Sequence, residues 1–139
     1  MKKIFLLVSA MLVLSQRNVI AQDAGLNFQG VARASNGTIL TSQKITLKFS
    51  IISLSENGTV EYSEIKIANT NAQGVFAIVI GDTNVVNSSG NFKNINWKSF
   101  PKFLKIEMDP NGGSLFIPMG TVQLQSVPYS YVSNFSNGV

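Results

Sequence analysis

Ser99-Phe100-Pro101-Lys102 has the spacing in which a lysine amine activates a serine three residues before it. The partner motifs that complete such a site in penicillin-binding enzymes are absent, and the bland reading of Lys102 is a loop lysine. Glu61 and Glu64 are a second pair, since two carboxylates held roughly 5–10 Å apart can hydrolyse a glycoside. Their polar positions in a strand-like stretch predict solvated charges instead. Asp82-Thr83-Asn84 and Asp109-Pro110-Asn111 are oxygen-rich, but each offers one acid, short of what calcium ordinarily recruits. Turn formation accounts for both. The chain contains no histidine and no cysteine. That removes Ser-His-Asp and Cys-His catalysis and every zinc site built on those ligands. The expectation is a protein with no catalytic residues, no metal and no cofactor.

Binding is the remaining class. Trp97 and Phe100, with Phe103 nearby, could form an aromatic platform for a sugar or peptide. The plainer role for Trp97 is to plug the edge of the core under a long loop. Pro128, Tyr129 and Tyr131 mark a C-terminal junction, either an assembly contact or the latch of a final strand.

These residues sit in a chain whose first part reads as an export signal. Lys2 and Lys3 precede an apolar run from Ile4 to Leu14, and Val19-Ile20-Ala21 supplies a small-residue cleavage pattern. As a helix the run spans about 16 Å, against the ~30 Å of a bilayer core. Gln16, Arg17 and Asn18 oppose its extension. The expectation is therefore a signal peptide over 1–21 and no transmembrane segment in the mature chain. The mature protein is placed in the periplasm, at the cell surface or outside the cell. Lys2, Lys3 and Arg17 would leave with the signal. The 11 basic residues then fall to 8 against the same 7 acids, and the net charge of +4 shrinks to about +1. No basic patch for nucleic acid survives that loss. A protein or glycan partner at the cell surface fits this reading, and the oligomeric state is left open.

The mature chain alternates with period two. Ile45, Leu47, Phe49 and Ile51 are apolar and the residues between them polar, which on a strand puts all four on one face. Val75–Ile80 is continuously apolar between Gly74 and Gly81, the pattern of a strand buried on both faces. Leu104, Ile106 and Met108 alternate with Lys105 and Glu107. Val60 and Tyr62 differ in parity from Ile65 and Ile67, which predicts a β-bulge near Ser63-Glu64 returning both sets to the core. Asn36-Gly37, Asn57-Gly58, Asn71–Gly74 and Asp109–Gly113 are turns. Between Asp82 and Ser99, Phe92, Ile95 and Trp97 anchor a long loop or a single helical turn. Six or seven strands and no helical period make an all-β, antiparallel β-sandwich over residues 22–132, with a flexible tail over 133–139.

Several blocks carry a family resemblance. They are Asn27-Phe28-Gln29-Gly30-Val31-Ala32-Arg33, Asn36-Gly37-Thr38-Ile39-Leu40, Val60-Glu61-Tyr62-Ser63-Glu64, Thr70–Phe76, Ile95-Asn96-Trp97, Phe103–Pro110, Met119-Gly120-Thr121 and Leu124–Tyr129. In this order they resemble the N-terminal β-domain of exported surface proteins of the Bacteroidota. The resemblance implies a domain closed by Ser126-Val127-Pro128-Tyr129 and often followed by collagen-like, fibre or coiled-coil segments. It lends no catalytic residue. Ser130 stands where that family commonly has Ala, and the chain ends at Val139 without a fibre region. A looser likeness to transthyretin-like and carboxypeptidase-regulatory sandwiches supports the fold only. The expected function is a non-enzymatic envelope or surface module for assembly or adhesion. The alternative is a small carbohydrate- or peptide-binding module using the aromatics near Trp97.

Overall fold

A computed structural model describes residues 25–125 as two antiparallel β-sheets packed face to face. The strands are β1 (Leu26–Val31), β2 (Lys44–Ser53), β3 (Thr59–Asn69), β4 (Val75–Ile80), β5 (Asn87–Ser89), β6 (Lys102–Asp109) and β7 (Ile117–Leu124). The larger sheet has the order β5-β3-β2-β6-β7, and the smaller pairs β1 with β4. The β-sandwich agrees with the alternating sequence, and its seven strands fall within the six or seven expected. The expected signal peptide and tail lie outside the described residues.

β2 is central because it can pair on both edges over nearly its whole length, with β3 through Lys44–Ser53 and with β6 through Thr46–Ser53. Its alternation puts Ile45, Leu47, Phe49 and Ile51 inward, all buried. Leu104 and Met108 of β6 lie beside Ile51 and Leu47 on the same face. Phe28 of β1 meets Phe49 edge to face with ring centres 5.3 Å apart, and Phe76 of β4 lies 6.0 Å from Phe28. These rings are the seam between the sheets.

Two strands cannot cover five. At about 4.8 Å per strand, the small sheet spans roughly two-fifths of the width of the large one. Ile117 and Val122 of β7 pair opposite the inward Met108 and Leu104, yet both stay exposed. The same economy corrects the reading of Val75–Ile80. Phe76 and Ile80 are buried, but Ala77 is exposed and Val75 and Val79 only half-buried, because the outer side of a two-stranded sheet faces solvent.

The reading of β3 also needs correction. A bulge exists, but its extra residue is Glu61, set between the pairs Ile51–Tyr62 and Ile52–Val60. Since the shift precedes Tyr62, the rest of the strand keeps the parity of Tyr62. Tyr62, Glu64, Lys66 and Ala68 are buried, while Ile65 is half-buried and Ile67 exposed. Two charged residues therefore face the core where two isoleucines were expected.

The Asp82–Ser99 stretch holds one short strand, β5, paired to Ser63–Ile65, and one 3-10 turn over Phe92–Asn94. Phe92 and Ile95 are buried, and Trp97 packs against the core, as their apolar character predicts.

Phe49→Ala is expected to lower stability by about 3–5 kcal/mol, since it opens a cavity at the seam. Val60→Ala, on an exposed side chain, should cost no more than about 0.5 kcal/mol. Urea unfolding monitored by far-UV circular dichroism reads both; comparable midpoints for the two variants would contradict the packing described.

Candidate functional site

The residues with chemical capacity gather into two networks at the bulge and just beyond it. Tyr62, Glu64 and Lys66 occupy alternate positions of β3 and so line one face. The Tyr62 hydroxyl donates to Glu64 Oε2 at 2.6 Å, and the Gly81 backbone N–H donates to the same oxygen at 3.0 Å. Lys66 Nζ donates to Asp82 Oδ1 and to the Asn84 carbonyl, the latter at 2.9 Å. It also stands 3.8 Å from Glu64 Oε1, an oxygen with no hydrogen-bond partner. Asp82 Oδ1 also accepts from the Asn84 N–H at 3.0 Å, so its loop folds around the ammonium.

Gly81 is required at this corner. Its φ of +89° lies in the left-handed region, and an added Cβ would lie 2.4 Å from the Phe92 ring. The ring packs edge to face on Tyr62 at 5.3 Å. Burial, and then the adjacent Glu64, hold the Tyr62 phenol well above its ordinary value, so it persists as a donor.

The second network arises from the bulge itself. The extra residue, Glu61, has its Oε1 hydrogen-bonded by Lys102 Nζ at 2.6 Å and by the Ser53 hydroxyl. Lys102 Nζ also reaches Ser53 Oγ at 3.2 Å. Lys102 opens β6 opposite Ser53 and is fully buried. The hydrogen bond from Lys102, followed by that from Ser53, holds the Glu61 carboxyl below its ordinary value, against the opposing effect of burial.

These placements correct two expectations. Lys102 is a buried strand lysine, and it donates to Glu61 and Ser53 rather than to Ser99. Glu64 is a core residue and not a solvated charge. The oxygen-rich loops are also committed. Asp82 serves Lys66, and Asp109 accepts the N–H groups of Asn111 and Leu115, both at 2.9 Å, which hold its carboxyl below its ordinary value. Among the described residues no three metal-ligating side chains converge.

Of the aromatic platform, Trp97 is half-buried and stacks edge to face on Phe92 at 5.6 Å, whereas Phe100 is exposed. Pro128, Tyr129 and Tyr131 lie outside the described residues. Among those residues no helix is long and apolar enough to cross a membrane. Sequence reasoning missed the Lys66–Asp82 pair. The available signal was Tyr62-x-Glu64-x-Lys66, opposite charges at same-face spacing within a strand.

Residues 27–123 match a family described as a domain of unknown function (DUF8740). The match runs from β1 into β7 and so takes in both networks. No curated protein and no solved structure matches the chain.

The Glu61 network predicts a signed pH dependence. A carboxyl whose folded value is lowered contributes stability that is complete above its ordinary value of 4.5 and lost as pH falls through the folded value. Glu61→Gln should cost about 1 kcal/mol near neutrality, given the partial exposure of the side chain. The gap from the unmodified protein should close on acidification. Urea midpoints measured from about pH 7 down to about pH 2 test this; a gap that stays constant would show that the Glu61 charge contributes nothing.

Proposed function

The chain belongs to the DUF8740 family, and we propose that it is a non-enzymatic, exported module of the cell envelope or surface with a structural, assembly or adhesive role. The observation that carries this reading is the use made of the charged side chains. Glu61 and Lys102 tie β3 to β6, Glu64 and Lys66 are turned into the core with Asp82, and Asp109 closes its own turn. The acids and amines that spacing offers for catalysis are thus engaged in joining strands and loops. The signal-like Lys2–Ala21 segment and the resemblance to exported Bacteroidota surface domains support the compartment.

A small sugar- or peptide-binding module is the competing reading. Exposed Phe100 beside the long loop favours it, while the packing of Trp97 on Phe92 leaves less free aromatic surface than a platform of two rings.

Fractionation of native cells, with the terminal sequence and intact mass of the recovered protein, tests the proposal. The expected species begins at Gln22 and is found with the envelope or outside the cell. Recovery in the cytoplasm with Lys2 and Lys3 retained would end this reading. Saturable binding on a glycan or peptide array, abolished by Phe100→Ala, would replace it with the binding module.

A further inference from the structure

We propose that Lys66 and Asp82 become joined by an intramolecular amide bond, with Glu64 as the proton carrier. This goes beyond the envelope role and does not depend on it. The Lys66 amine and the Asp82 carboxyl are already in direct contact, and Lys66 is buried, with only 3% of its surface exposed. Glu64, more buried still, places Oε1 3.8 Å from the same amine. That oxygen is one of two buried side-chain polar atoms without a hydrogen bond among the described residues. The other Glu64 oxygen is fixed by Tyr62 and Gly81, so the carboxyl is held with its free acceptor toward the lysine. The buried amine and the buried second carboxyl, which can move protons, thus meet the half-buried Asp82 carboxyl at the edge of the core. Such fixed proximity can replace effective concentrations of about 10⁵ M or more.

The bond balances without a co-reactant. One proton passes from the Lys66 ammonium through Glu64 to an Asp82 carboxyl oxygen, leaving a neutral amine and a neutral carboxylic acid. The amine lone pair attacks Asp82 Cγ. A second Nζ proton then passes through Glu64 to the departing hydroxyl, which leaves as water. One N–C bond forms, one C–O bond breaks, Glu64 returns to its starting state, and nothing is oxidised or reduced. The product exchanges a buried ammonium, paired with a half-buried carboxylate, for a neutral amide, which is less costly to keep out of water. It also fastens β3 of the large sheet to the residue two beyond β4 of the small one. In a chain without cysteine, this is a covalent link that a disulfide cannot supply.

The test is mass spectrometry of the full protein as isolated. The expected chain is lighter than its sequence by one water, about 18 Da. Trypsin should leave Phe49–Lys93 as one peptide, because an acylated Lys66 is not cleaved and no other Lys or Arg lies between Lys48 and Lys93. Fragment ions should tie Lys66 to Asp82. Asp82→Ala and Lys66→Arg should both return the full mass and cleavage after residue 66. Glu64→Gln should slow bond formation by about a hundredfold. Unmodified protein of full mass that is cleaved at Lys66 overturns the proposal, whatever the variants do. So does a lost water that maps to a succinimide or to any other pair.

Discussion

The bulge at Glu61 decides which face of β3 meets the core, and much of the interior follows from it. A single inserted residue changes strand parity. Placed before Tyr62, it turns Tyr62, Glu64 and Lys66 inward together. Once inside, each polar group needs a partner, since an unpaired buried charge costs several kcal/mol. The partners come from the chain just beyond β4, where Gly81 and Asp82 lie over β3. The inserted residue is itself set free from the ladder and reaches Lys102 across the end of the sheet. One local irregularity thereby dictates the contents of both networks.

The alternative register is instructive. With the opposite parity, β3 would offer Ile65 and Ile67 to the core and return Glu64 and Lys66 to water, an arrangement more favourable by apolar area alone. The chain adopts the costlier one. Buried ion pairs are poor sources of net stability but can specify a register, because only one arrangement satisfies them. Here the ladder leaves little choice as well. Ten residues of β2 pair with β3, and the tight Ser55–Gly58 turn closes that hairpin. The charges confirm a register that the backbone already favours, and they penalise any slip by leaving Asp82 without its donor and the Gly81 N–H without its acceptor.

Much of the architecture was legible in the sequence because it rests on alternation and turn chemistry. β2 and β6 alternate cleanly, and their inward residues form the core. Phe92 and Ile95 were recognisable as anchors because large apolar residues in an irregular stretch have few other uses. β3 was misread because parity was inferred from the rule that apolar residues face inward, and its inner face carries charge. β4 was misread because a continuous apolar run does not say how many strands its sheet contains. β5 gave no signal at all: Asn87-Ser88-Ser89 is polar and exposed, and exists as a strand only through its pairing with Ser63–Ile65. The networks were hidden for a different reason. Lys102 lies 41 residues from Glu61 and 49 from Ser53, separations that become contacts only after β2 has paired on both sides.

The placement of the polar links has a mechanical consequence. The seam between the sheets is otherwise made of rings and aliphatic side chains, whose attraction is non-directional and tolerates sliding. The small sheet is only two strands wide, so few such contacts resist its displacement. Lys66 and Asp82 connect the sheets through a directed contact, whereas Glu61, Ser53 and Lys102 connect three adjacent strands within the large sheet. Asp109, with the Gln43 amide bonded to the Pro110 carbonyl at 2.8 Å, fixes the turn that leads from β6 into β7. The directed links therefore add orientation to the apolar seam between the sheets, and they tie the end of the large sheet and the approach to its exposed edge.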